Sequence, residues 1–348
     1  MHPVSRVRRR DRNYRWPVLR RASDSRRGWH PFRETLGVSV RHIIDAQQFD
    51  KKTITLLFHA TERMEHIAKS GGSSELRGKI MGTLFYSIST RTRLSFEAAM
   101  LRLGGNVVST EHPQEFSDAA IGGTLEDTIR MMDSFVDVIV LRHPQEGSAE
   151  RAAAVSRVPI INAGDGGGQH PTQALLDLYT IYRAMDGIDG VSVVMMGDLA
   201  NSRTVRSLCY FLGKYTGVKL WLVAPPQHAM RPDIIDYLTR HGVSFTQISA
   251  AGDQLNEVLR IADVVYQTDL PPDQAHTSKQ HPARMDFAIT HQVLEVMRQR
   301  AIIMHPFPRT VAIARDVDHD RRAFYFQQIA NGLYIRMAIL HNLLASKT

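Results

Sequence analysis

The 348-residue chain holds a single cysteine, Cys209, which excludes a disulfide within the chain. Because Cys209 sits inside the apolar stretch SLCYFLG of an expected helix, it reads as a packing residue rather than a reactive one. No segment approaches the roughly 18 consecutive apolar residues that a membrane-crossing helix needs, so no membrane partner is expected. The histidines are scattered without ligand spacing, and neither a metal nor a cofactor is expected. Acidic residues are scarce at one place: residues 1–30 carry ten Arg, no Lys and only Asp11 and Asp24, which accounts for the whole net charge of +8. The rest of the chain is neutral in sum, so its folded part is not expected to bind nucleic acid.

The basic segment also lacks the ~7–15-residue apolar core of a secretory signal. Two readings of residues 1–35 stay open: a transit peptide, which places the mature protein in a chloroplast or another organelle, or a disordered extension or misplaced start, which leaves it cytoplasmic.

With 43% hydrophobic and 22% charged residues, the chain reads as a soluble globular protein. Past residue 35 apolar strands alternate with amphipathic helices. Strands are expected at 80–86, 106–110, 137–141 and 158–162, with helices at 53–69, 90–103, 124–135, 148–156 and 171–185. A second series of strands follows at 191–197, 219–225, 243–248, 263–268 and 301–305, after the turn-rich joint MDGIDG. Alternation of this kind gives an α/β protein of two doubly wound, Rossmann-like parallel-sheet lobes with a cleft between them. The first lobe takes residues 36–187, the second 188–331, and a final helix near 324–345 crosses back so that 332–348 join the first lobe.

Five short stretches stand at carboxyl ends of the expected strands, where α/β sheets meet their ligands. Ser89 precedes the helix TRTRLSFEAAMLRL as an N-cap, and a helix start presents unpaired N–H groups and partial positive charge to an anion. The hydroxyls of Ser89, Thr90 and Thr92 and the planar fork of Arg91 suit a phosphate, although a capped helix with surface arginines has the same look. LRHPQEG ends a strand at Arg142. NAGDGGGQHPTQALLD brings a glycine-rich loop, His170, a helix-opening Pro171 and Gln173. MGDLANSRTVRSL supplies Arg203, and HPFPR promises a rigid loop with a cis bond at Phe307–Pro308.

Together these motifs, over residues 36–348, resemble the aspartate/ornithine carbamoyltransferases, in particular the plant-type aspartate carbamoyltransferase catalytic chain. The resemblance implies transfer of a carbamoyl group from carbamoyl phosphate to the amino group of an amino acid, by family default L-aspartate, as in pyrimidine biosynthesis. It implies that Ser89, Thr90, Arg91 and Thr92 hold the phosphate, that Arg142, His170 and Gln173 bind and polarise the carbamoyl group, and that Arg203 holds the α-carboxylate beside Phe307 and Pro308. Arg91, Thr92, Arg142 and His170 are then the catalytic set. The family forms homotrimers in which a neighbour's loop enters the site, and Ser117 lies on that loop.

The sequence also departs from the family pattern. Ser87 and Ile88 stand where a glutamate and a proline precede the phosphate motif. Ile121 and Gly123 replace the lysine and glutamate of the neighbour's loop. Asp269, Pro271 and Gln274 replace an arginine, a glutamine and a second arginine on the acceptor side, and the HPLPR-x-D-E pattern reads Phe307, Val311 and Ala312. A carboxylate at 269 is expected to repel a dicarboxylate. Three readings follow: an aspartate carbamoyltransferase that tolerates the changes, a carbamoyltransferase for a neutral or cationic amine, and an impaired paralogue that acts as a binding subunit.

Overall fold

The computed structural model describes residues 41–111, 122–249, 252–271 and 286–345. Ser117, Ile121, Gln274 and the basic extension lie outside the described residues.

The described residues form two all-parallel sheets. Sheet 1 comprises β1 (Ile80–Phe85), β2 (Asn106–Glu111), β3 (Val138–His143) and β4 (Ile160–Asp165), in the order β2-β1-β3-β4. Sheet 2 comprises β5 (Ser192–Met196), β6 (Lys219–Val223), β7 (Ser244–Ile248), β8 (Val264–Gln267) and β9 (Ile302–Met304), in the order β7-β6-β5-β8-β9. β1, β4, β5 and β8 are buried almost throughout, which is why they read in the sequence as continuous apolar runs.

Around sheet 1 lie α1 (Lys51–Lys69), α2 (Thr90–Arg102), α3 (Leu125–Met132), α4 (Ser148–Val155) and α5 (Pro171–Met185). Sheet 2 is flanked by α6 (Arg203–Leu212), α7 (Pro232–Arg240), α8 (Asp253–Ile261) and α9 (His291–Val296). The last helix, α10 (Tyr325–Leu344), leaves sheet 2 and packs on α1, α2 and α5. One apolar core runs from Phe58 and Phe96 through Leu175 and Tyr179 to Val205, Phe211 and Ile335, so α5, α6 and α10 form the seam between the sheets. Cys209 is fully buried in this core with its Sγ 3.5 Å from Met195 Sδ, and burial pushes its thiol up to about 12.

Strand order fixes where a ligand can sit. Sheet 1 reverses direction between β1 and β3, and sheet 2 between β5 and β8, so crevices open beyond the carboxyl ends of those pairs. Two glycines let the chain close up there. Gly197 follows β5 with φ +114°, and a Cβ on it would stand 2.1 Å from the Thr268 carbonyl oxygen beyond β8. Gly164 in β4 has φ +111°, and a Cβ would lie 3.0 Å from both Arg142 Nη1 and Arg203 Nε. Only glycine fits either place.

Candidate active site

Both crevices present basic side chains. From sheet 1, β1 runs into Ser89, the N-cap of α2. The Ser89 side chain makes no capping hydrogen bond, so the sequence expectation of a cap is met by position alone and the hydroxyl is left for another acceptor or donor. Thr92 is buried one turn into α2, while Thr90 is exposed. Arg91 Nη2 donates to the Phe307 carbonyl, and its guanidinium lies 5.9 Å from the centre of the Phe307 ring. Desolvation lowers the Arg91 pKa.

β3 extends to His143, two residues past the expected 137–141 boundary, and Arg142 sits at its carboxyl end as expected. Its Nη1 donates to the Ala163 carbonyl at 3.1 Å, and its Nε is buried with no partner among the described residues. Burial, then the charges of Arg203 and Arg91, push Arg142 down to about 9. Arg203, at the start of α6, donates from Nη1 to the Gly166 carbonyl at 2.8 Å. The two guanidinia therefore straddle the exit of β4.

The loop 166–168 between them is shaped by Asp165. Its carboxylate accepts from Gly147 N at 3.1 Å, Gln169 N at 3.0 Å and Asn162 Nδ2 at 3.3 Å. The loop delivers His170, whose backbone N–H donates to Ser207 Oγ on α6 at 3.0 Å. His170 is 3% exposed, and its pKa lies well below the usual value through burial and then the charges of Arg203, Arg142, Arg336 and Arg91. It is a neutral imidazole at pH 7 in a ring of guanidinia.

Gln173 lies one turn into α5 and donates from Nε2 to Asp177 Oδ1 at 2.9 Å. Asp177 also accepts from Gln328 Nε2 of α10 at 2.6 Å and from the Tyr266 hydroxyl of β8 at 2.7 Å. Burial raises the Asp177 pKa to about 7, against the pull of these donors and Arg336. Arg336 of α10 is buried, with its guanidinium 5.2 Å from the Phe96 ring centre and its pKa lowered to about 10 by burial. Sequence reasoning missed Asp177, Tyr266, Gln328 and Arg336. Asp177 shares a helix face with Gln173 at four-residue spacing, and Arg336 is a lone charge in the apolar run GLYIRMAIL, so both signals were present.

On the expected acceptor side the Phe307–Pro308 peptide is cis and Phe307 has φ +53°, a left-handed conformation that costs a non-glycine residue about 1–3 kcal/mol and persists because contacts around it offset that cost. Arg309 is held by Asp318 and by the Tyr325 hydroxyl at 3.1 Å. Asp269 faces His305, Thr310 and Ala312 rather than open solvent, while Pro271 is exposed. Ser87 is partly buried, and Ile88 is the most exposed of the large apolar side chains among the described residues, at 71%.

The structure thus brings Arg91, Arg142, His170 and Arg203 within electrostatic reach of one another. Ser117, expected on a loop that enters a neighbouring copy's site, lies outside the described residues. A neutral donor among guanidinia suits a doubly charged phosphate joined to a carbonyl that gains negative charge as it reacts.

Residues 41–183 match the family model described as "Aspartate/ornithine carbamoyltransferase, carbamoyl-P binding domain", and residues 189–343 match its "Asp/Orn binding domain". The chain belongs to the aspartate/ornithine carbamoyltransferase family. Among curated carbamoyltransferases, it is 52% identical over 305 residues to aspartate carbamoyltransferase 1, chloroplastic, of Pisum sativum, covering 87% of this chain and 78% of that one. It is 44% identical over 305 residues to the aspartate carbamoyltransferase catalytic subunit of Methanocella arvoryzae, covering 86% and 96%. Among solved structures, aspartate transcarbamoylase from Trypanosoma cruzi in complex with carbamoyl aspartate and phosphate superposes with a TM-score of 0.82 at 38% identity, covering 89% of this chain and 98% of that one.

Proposed function

We propose that the protein transfers the carbamoyl group of carbamoyl phosphate to the amino group of L-aspartate, the step that feeds pyrimidine synthesis. The observation that carries this reading is the neutral, buried His170 surrounded by Arg91, Arg142, Arg203 and Arg336. Relatives that share half of this sequence carry the name aspartate carbamoyltransferase.

In this reading Ser89, Thr90, Arg91 and Thr92 bind the phosphate at the start of α2. Arg142 and His170 donate to the carbamoyl oxygen and stabilise the charge that builds on it. Gln173, whose amide N–H₂ donates to Asp177, offers its oxygen as the acceptor for the carbamoyl amide. Arg203 binds the α-carboxylate of the acceptor next to Phe307 and Pro308. The uncharged amine attacks the carbamoyl carbon, a C–N bond forms, the C–O bond to phosphate breaks, and the departing phosphate takes the amine proton. Rate comes from holding two substrates in contact and from donors preset for the oxyanion.

The negative charge at 269 raised the prospect of a cationic acceptor. In the structure that carboxylate accepts from two backbone N–H groups and a hydroxyl and lies 3.3 Å from an imidazole of its own chain, so its oxygens are engaged within the loop, and aspartate remains the acceptor we favour. The decisive experiment is phosphate release from carbamoyl phosphate with a panel of amino acids. Release that depends on aspartate supports the reading. Release only with lysine or ornithine would move the acceptor to the cationic class, and binding of carbamoyl phosphate without release would make the protein a binding subunit.

The lobes divide at 187/188, with 332–348 returning to the first. We further assign the active unit as a homotrimer in which Ser117 and Ile121 of one copy approach the next copy's site, and residues 1–35 as a transit peptide for a plastid. Relatives named chloroplastic support the last point. Sedimentation of the purified protein tests the trimer, and a fluorescent fusion of the first 35 residues tests the address.

A further inference from the structure

Asp269 lies two residues past β8, and no role for it follows from the proposed chemistry. Its Oδ2 accepts from Thr310 N at 3.1 Å, its Oδ1 from Ala312 N at 3.3 Å, and the Thr310 hydroxyl donates to Oδ1. Oδ2 also lies 3.3 Å from His305 Nε2. One carboxylate thereby gathers three residues of the segment that joins β9 to α10.

From there a continuous set of contacts reaches the other lobe. The buried His305 accepts the Phe307 N–H on Nδ1 at 2.9 Å, which leaves its proton on Nε2; that nitrogen lies 3.3 Å from Asp269 Oδ2 as a close contact, without an aligned hydrogen bond. That bond helps hold Phe307 at φ +53°. In this conformation the Phe307 carbonyl accepts from Arg91 and the Phe307 ring lies beneath the same guanidinium. The path is Asp269, His305, Phe307, Arg91, with Thr310 and Ala312 pinning the far side of the loop.

We propose that Asp269 is a positioning residue for Arg91: by gripping the 305–312 segment it sets the Phe307 carbonyl that orients the guanidinium, so the acceptor-side strand governs the hold on carbamoyl phosphate. This rests on the reading of Arg91 as a phosphate ligand. It also assigns to Asp269 an effect on the donor substrate, where its charge alone would act on the acceptor.

The test is a double-mutant cycle in the full-length protein, with binding of carbamoyl phosphate and of inorganic phosphate followed by calorimetry and turnover followed in parallel. Asp269→Asn is expected to weaken carbamoyl-phosphate binding by about tenfold and to leave the KM for aspartate within about threefold. In an Arg91→Ala background the same substitution is expected to change binding by less than about twofold. Thr310→Val, which removes one donor to the carboxylate and keeps the shape, is expected to weaken binding in the same direction by a smaller factor. Equal losses in both backgrounds overturn the positioning role. So does a lowered KM for aspartate with donor binding unchanged, or a fall in melting temperature that weakens both substrates together. Wild-type protein that binds neither anion would overturn the site reading itself, whereas wild-type binding with additive variants would overturn only the link from Asp269.

Discussion

Burial, and after it the charges of Arg203, Arg142, Arg336 and Arg91, keeps the His170 imidazole unprotonated well below its usual range. In the unfolded chain the same group titrates near 6.5, so protons bind the unfolded state first as the pH falls. The stability contributed by neutral His170 is complete above pH 6.5 and is lost below it, by up to about 1.4 kcal/mol per pH unit. His170→Gln is expected to flatten that acid slope, which urea unfolding at a series of pH values reads directly. Arg91 offers a second check at this scale. Removing a charge-assisted donor to phosphate should raise the KM for carbamoyl phosphate by about 10- to 100-fold while thermal melting barely moves; steady-state kinetics of Arg91→Ala reads the first and a thermal melt of the same variant the second.

Among the elements, α5 carries the most consequence, because Asp177 on it collects donors from α5 itself, β8 and α10. Asp177→Ala leaves Gln328 and Tyr266 without their buried acceptor and is expected to cost about 3–5 kcal/mol in denaturant unfolding, with Asp177→Asn costing less. α6 gives a simpler check: Cys209 is fully buried with a raised pKa, so thiol reagents should label it only after denaturation. The alternation of sheets and helices was legible in the sequence because buried parallel strands such as SVVMM leave unbroken apolar runs between helical periods. Boundaries were less so. β3 and β4 run on to His143 and Asp165 because polar residues continue the ladder where the strands turn into the cleft. Arg91, Arg142, His170 and Arg203 stood out because each closes a strand or opens a helix within its own motif. Asp177 and Arg336 carried only the fainter signals of a four-residue spacing to Gln173 and of a lone charge in an apolar run, because Tyr266, Gln328 and Phe96 reach them from distant segments; the engagement of Asp269 by Thr310, 41 residues away, left no signal.

At the scale of the whole molecule the site belongs to neither sheet alone: Arg142 and His170 come with the first, Arg203 and Phe307 with the second, and Arg336 with the returning helix. An anion bound there ties the parts together. Carbamoyl phosphate at a hundred times its dissociation constant should stabilise the protein by about 2.7 kcal/mol, measurable as a concentration-dependent rise in melting temperature. Since all the net charge lies in residues 1–30, a protein beginning at residue 36 should keep this response and lose its overall basicity, which isoelectric focusing would report.

Two of the three bonds that converge on Asp177 join residues 89 and 151 positions apart in the chain. Contacts of such span form only after long stretches have been ordered, because the entropy of closing the intervening loops must be overcome first. Refolding should therefore build the two sheets early and the catalytic cleft last. A nascent or half-refolded molecule would have native secondary structure and no capacity to handle its substrates.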